Sequence, residues 1–288
     1  MYETATELPR SEHARLPYHH ATPATKIQDR QHFPTKASRR GRLLLAAFSL
    51  GAGTYATSLL LATGGHANAM LVATILAFAG GLLSTWSPCG YSSLSLLRPH
   101  GRYSIQSVTH WIPTLVTHAL GYALGTVLLG GSLGLVAGLL PVGGVAGWST
   151  AFIGLAAVGY GLHCLGLLRM PYPQRCVQVS HGARNHYPMW LIGLTYGLQL
   201  GLNFVTYVRT PILYVVVGLA LISGSLSGAL LLIAALNLGR WMPLLVNALP
   251  VQDQRVQHWL ATNEQNARLA DGLLLTAAGA AFMVFGLT

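Results

Sequence analysis

The side chains best suited to chemistry gather in two short strings, Trp86-Ser87-Pro88-Cys89-Gly90-Tyr91 and Val208-Arg209-Thr210-Pro211-Ile212. Cys89 follows a helix-breaking proline, and a thiol at a broken helix can be electropositive in setting and reactive. The competing reading of Cys89 is a small apolar packing residue. Arg209 is a charge deep in apolar sequence, where it faces a cavity or a carbonyl cluster. Its expected partners are the carbonyls freed around Pro211, a thiolate or an anionic ligand; the competing reading is snorkelling from a tilted helix. Tyr196, Gln199, Asn203, Thr206 and Thr210 recur at helical spacing. They line a pathway or bond between helices, and the sequence favours neither. The candidate site is therefore Cys89 as a redox thiol, with Pro88, Tyr91, Asn203, Thr206, Arg209, Thr210 and Pro211 around it.

Other candidates are weaker. His110, Thr114, His118, Gly121 and Gly125 share a helix face, but two histidines without an acid or a cysteine motif read as packing rather than as a metal site. The three cysteines, Cys89, Cys164 and Cys176, show no C-x-x-C and no metal-ligand spacing. Cys164 and Cys176 read as packing or incidental thiols on a reducing side. No phosphate loop, nucleophile elbow or dinucleotide fingerprint is present, so no cofactor is expected.

The elements that must position these residues are membrane helices. Of the 288 residues, 52% are hydrophobic and only 8% are charged, and the mean hydropathy is +0.49. A soluble domain carries roughly a quarter of its residues as charged side chains. Eight per cent excludes a soluble enzyme, a disordered protein and a disulfide-stapled module. The net charge of +10 does not imply nucleic acid, because bases also collect in the cytoplasmic loops of membrane proteins. No carboxylate lies between Arg30 and Gln252. A carboxylate proton relay is thus not expected in the apolar core, and glycosidase or metalloprotease chemistry has no acid to use.

A bilayer core of about 30 Å needs about 20 apolar residues per helix. Seven spans are predicted, at residues 43–63, 69–97, 111–140, 145–168, 189–222, 226–249 and 269–287. The second and fifth are too long for one straight crossing, and each contains a deep proline, Pro88 or Pro211. The basic residues alternate between connections. This places residues 1–42, a basic and disordered tail, in the cytoplasm and the C-terminus outside. Arg240 reads as snorkelling from the inner end of the sixth span. Pairs such as Gly121/Gly125, Gly197/Gly201 and Gly224/Gly228 read as close-packing devices. The expected fold is an all-α membrane domain over 43–288, with one N-terminal helix and two three-helix halves at about 69–168 and 189–288. The halves enter from opposite faces, each opening with a broken helix, as in an inverted-topology repeat.

The segment Gly80-Gly81-Leu82-Leu83-Ser84-Thr85-Trp86-Ser87-Pro88-Cys89 can be laid on the stretch from Gly201 to Ile212, so that Ser87-Pro88-Cys89 faces Thr210-Pro211-Ile212. The string through Leu97-Arg98-Pro99 resembles the Pro-Cys signature of the DsbD/CcdA transmembrane thiol-disulfide carriers, of the LysE-like superfamily. Leu83 to Pro99, with Val208-Arg209-Thr210-Pro211-Ile212-Leu213-Tyr214, is more similar still to the MauF-like membrane proteins encoded among methylamine-utilisation genes. The carriers use one cysteine in each half. The second position here is Ile212, so their intramembrane disulfide cannot form at the equivalent pair. The resemblance implies a bacterial inner-membrane protein that supports maturation of periplasmic methylamine dehydrogenase. Its implied partners are the bilayer, maturation proteins of that enzyme or a thioredoxin-like protein. The alternatives are a transporter for a small anionic or sulfur-containing solute, with Arg209 as the binding charge, and a non-catalytic scaffold.

Overall fold

The computed structural model describes residues 37–64, 67–99, 103–139, 146–171, 187–207 and 209–288. The expectations for Cys176 and for most of the basic tail lie outside the described residues. Among those residues nine α-helices occur and no strand: α1 (Arg39–Gly64), α2 (Ala67–Leu83), α3 (Pro88–Leu96), α4 (Ile105–Leu139), α5 (Ala146–Cys164), α6 (Met189–Gly201), α7 (Ile212–Ile222), α8 (Leu226–Trp241) and α9 (Asp253–Leu287). Five of them are long and apolar enough to cross a membrane, α1, α2, α4, α8 and α9, three of these apolar stretches differing slightly in bounds from the helices. The chain is an all-α integral membrane protein.

Both long spans are broken where proline requires it. After α2 the chain makes a 3₁₀ turn over Ser84–Trp86 and restarts at Pro88. Proline suits a first helical position because it has no N–H to leave unbonded. Ser87 caps that start in extended conformation, its Oγ accepting the Gly90 N–H at 3.4 Å. The second break is wider. The helix α6 stops at Gly201, the chain passes Asn203 with φ +57°, and α7 begins only after Pro211.

One boundary departs far from the sequence reading. The last helix starts at Asp253 rather than at Leu269. At 1.5 Å per residue its 35 residues span about 52 Å, more than the hydrocarbon needs. The stretch read as a cytoplasmic connection is therefore helical and rises toward the two breaks. The sixth span keeps its expected extent, Leu226–Ala248, with α8 tightening into a 3₁₀ turn over Met242–Ala248 that contains Pro243.

Large apolar side chains fill the core, such as Leu232, Ile233, Leu275 and Phe282, and others cover the outer faces. Leu44, Phe48, Leu124, Val127, Leu135 and Phe152 are exposed, as helix faces against lipid should be. Between helices, glycines let backbones touch. A Cβ on Gly197 would fall 2.1 Å from the His118 carbonyl oxygen, and one on Gly121 2.3 Å from that of Leu194. With no hydrophobic drive between helices in lipid, such close packing supplies the attraction. Gly224 departs from this expectation. Nothing stands within 4 Å of its Cβ position and its φ is +61°, so it serves the α7–α8 turn rather than a seam. The principal helix pairs are α5 with α9, α4 with α6, α2 with α8, α4 with α8, and α1 with α9.

Candidate functional site

Cys89 occupies the second position of α3 and is 1% exposed. It forms a small buried cluster with Tyr122 of α4 and Leu200 of α6, against which Tyr207 and Trp241 pack. The thiol thus lies where the α2–α3 break, α4, α6 and the end of α8 meet. Neither Cys89 nor Cys164 is in a disulfide. Cys164 belongs to a different cluster, with Ile212 and much of α7 and α8. Ile212, at the position of the carriers' second cysteine, is fully buried beside Gly80, whose Cβ position lies 2.4 Å from the isoleucine Cγ2.

The polar centre beside this cluster is built on Arg240, which corrects the snorkelling expectation. Arg240 is 7% exposed. Its Nη1 donates to the Leu200 carbonyl at 3.0 Å and to Asn203 Oδ1 at 3.0 Å, and its Nη2 to Thr206 Oγ1 at 3.4 Å. The reason is the break itself. The last carbonyls of a helix have no intrahelical donor and carry the negative end of its dipole. Arg240 and two asparagines satisfy those of α6, since Asn203 Nδ2 and Asn237 Nδ2 both donate to the Gly201 carbonyl, at 2.9 and 3.0 Å. Asn203 Nδ2 also donates to Asn237 Oδ1 at 2.9 Å, and Asn237 Nδ2 to Thr126 Oγ1 at 2.8 Å. Asn203 and Thr206, chosen from the sequence as part of a helical stripe, do meet here. They do so in an irregular segment rather than on one helix face.

Arg209, Thr210 and Pro211 form a second group. Arg209 pairs with Glu264 of α9, both side chains about a quarter exposed. The Thr210 hydroxyl donates to Asp271 Oδ1 at 2.8 Å, and Asp271 is 7% exposed. Tyr91 lies within electrostatic reach of both Arg209 and Glu264. These contacts correct two expectations. Arg209 has a carboxylate partner, Glu264, which the sequence reading did not include. The membrane core also does hold a carboxylate, Asp271, inside the predicted seventh span, and the early start of α9 brings Glu264 to Arg209.

The remaining sequence candidates separate. Within the shared face of α4, His110 lines an outer cavity of about 480 Å³ with Arg98 and Trp111. His118 is 1% exposed and stands edge-on to Tyr122, ring centroids 5.1 Å apart. Among the described residues no three His, Cys, Asp or Glu lie close enough to hold a metal ion. The sequence reading missed Asn237 and Arg240. The signal was an asparagine and an arginine three apart in otherwise apolar sequence, hence on one helix face.

No family model matches the chain, and no solved structure matches it. Curated relatives do. The chain is 48% identical over 261 residues to the methylamine utilization protein MauF of Methylorubrum extorquens, covering 90% of this chain and 92% of the relative. It is 49% identical over 259 residues to the protein of that name from Paracoccus versutus, covering 88% and 92%. With the protein of that name from Methylobacillus flagellatus, identity reaches 52% over 210 residues, covering 73% and 74%. At that identity along nearly the whole length, both helix breaks and the polar centre between them are those of a chain that belongs to the MauF family of methylamine-utilization proteins.

Proposed function

We propose that this protein is an inner-membrane accessory factor for maturation of periplasmic methylamine dehydrogenase, and that it handles reductant or a thiol-bearing factor at Cys89. The family's role in methylamine utilisation supports the setting. The observation that carries the chemistry is the placement of Cys89 at the start of α3, inside a junction of four elements. A helix start presents unbonded N–H groups and the positive end of the dipole to that sulfur. With isoleucine at position 212, the exchange partner must come from outside the two halves. The Cys89 thiolate attacks one partner's disulfide and one sulfur leaves as thiolate. A thiol of a second, dithiol partner then attacks the Cys89 sulfur, releasing the first partner reduced. Its other thiol resolves the new mixed disulfide, freeing Cys89 and leaving the second partner oxidised.

The proposed architecture is a DsbD/CcdA-like inverted repeat of α2–α5 and α6–α9, with the tail cytoplasmic and the C-terminus periplasmic. Exchanging the halves turns the α2–α8 pair into α6–α4 and returns α4–α8 and α5–α9 to themselves. Pro88, Tyr91, Asn203, Thr206, Arg209, Thr210 and Pro211 then surround the two symmetry-related breaks, where irregular backbone must be buried in protein. A second reading, passage of a small anionic solute between the halves, is favoured by the buried Arg240 cation.

The test is a strain lacking this protein, scored for growth on methylamine and for active periplasmic dehydrogenase. Normal maturation without the protein overturns the reading. In the complemented strain, Cys89→Ser should abolish maturation if thiol exchange is the activity. A scaffold or transporter would keep most of it.

A further inference from the structure

Arg240 keeps a charge that no carboxylate among the described residues balances. Its hydrogen bonds go to neutral acceptors. The α6 C-terminus offsets about half an elementary charge. The guanidinium Nε is buried and has no partner among the described residues. The same is true of both ring nitrogens of His118, the Trp241 indole nitrogen and the Thr85 hydroxyl. Unpaired buried donors are rare, and each calls for an explanation.

These groups belong to one neighbourhood. His118 stands on Tyr122, Trp241 packs against the Cys89–Tyr122–Leu200 cluster, and Arg240 is bonded to Leu200. The charge of Arg240 reaches both His118 and Tyr122. Thr85 lies beside the same turn, its carbonyl oxygen 2.4 Å from the Cβ position of Gly90. We infer that Arg240, His118 and Trp241 form a buried site for a small monovalent anion at the junction of α4, α6 and α8. Water would satisfy the N–H groups yet leave the charge standing, and an unbalanced buried charge is among the costliest arrangements in a membrane interior. An anion does both. One buried positive charge with a few N–H donors suits a halide or a one-carbon carboxylate, in preference to a phosphate with several charges. The inference goes beyond the maturation reading and stands whatever Cys89 does.

The test uses the full-length protein in lipid nanodiscs, with gluconate exchanged for iodide or formate. Iodide quenches indole fluorescence on contact, so a site beside Trp241 should give a saturable component above the linear quenching of exposed tryptophans. Trp241→Phe should remove that component and, by deleting one donor, weaken the anion-dependent rise in unfolding temperature about tenfold without abolishing it. His118→Phe, which leaves the three Arg240 bonds in place, should weaken both effects about tenfold by deleting one donor to a charged ligand. Arg240→Gln should abolish them, and His118→Phe carries the test if that variant does not fold. Purely linear quenching with no anion-dependent stabilisation overturns the site. So does a stability that ignores the anion but collapses in Cys89→Ser, because the balancing charge would then be the cysteine sulfur. Each readout is independent of dehydrogenase maturation.

Discussion

The side-chain amide of Asn203 donates to the side-chain oxygen of Asn237 at 2.9 Å, joining the point where α6 stops to the middle of α8. Asn203 reaches that geometry only with φ at +57°, a conformation that asparagine tolerates better than other residues with side chains. Interhelical polar contacts in membranes contribute about 0.6–2 kcal/mol each. Asn203→Gly keeps the backbone and loses the bonds, so it should cost about 1–2 kcal/mol. Asn203→Ala loses the bonds and adds left-handed strain of about 1 kcal/mol more. Thermal unfolding in nanodiscs should therefore rank the native chain above Gly and Gly above Ala. An alanine variant at least as stable as the glycine one would remove the backbone part of this account.

The two kinds of glycine should also separate. Gly197→Ala places a methyl 2.1 Å from the His118 carbonyl and must push α4 from α6, for a loss of about 3 kcal/mol or more. Gly224→Ala meets nothing within 4 Å and costs only its positive φ, about 1 kcal/mol. Equal effects would mean that the α4–α6 seam is looser than its glycines imply.

Much of this was legible in the sequence, and the illegible part has one cause. The all-α membrane class followed from charge density. The two breaks followed from Pro88 and Pro211, because a missing N–H acts locally and shows in any string. Partner choice is not local. Arg240 was placed by its distance from a span end, while its position is fixed by carbonyls of α6 that sequence spacing cannot bring to it. Glu264 was left in a connection because charged residues dilute the apolar run, and Asp271, inside the predicted seventh span, was not weighed as a site residue. The helix continues through them, its polar faces covered by Arg209 and Thr210. Asn203 and Thr206 meet around Arg240 but not as a helical stripe, since α6 ends before both.

The two described cysteines should behave differently in cells. Cys89 lies at the junction of the two breaks, whereas Cys164 sits among α7 and α8 apolar residues near the end of α5. Cys164→Ser should leave active dehydrogenase near the native level, with at most a packing loss of about 1 kcal/mol. Cys89→Ser should reduce it at least tenfold, while the protein accumulates normally in the membrane fraction. Similar losses in both variants would point to folding rather than to thiol chemistry.

The last prediction concerns α9 as the clip on the second break. Glu264 and Asp271 stand seven residues apart, hence on one helix face, and they hold the two consecutive residues before Pro211. Removing one member of a largely desolvated pair strands the other charge, whereas replacing both with apolar groups is often neutral. Glu264→Leu alone should lower stability by about 3 kcal/mol, and Arg209→Met with Glu264→Leu should recover most of it. Asp271→Asn keeps an oxygen for the Thr210 hydroxyl and should be mild, whereas Asp271→Leu should not. Amide hydrogen exchange over residues 202–211 gives the local readout. Both damaging single variants should raise exchange there more than in α4 or α8, and the double variant should restore protection. If exchange in that segment follows global stability alone, α9 does not act as a clip on the break.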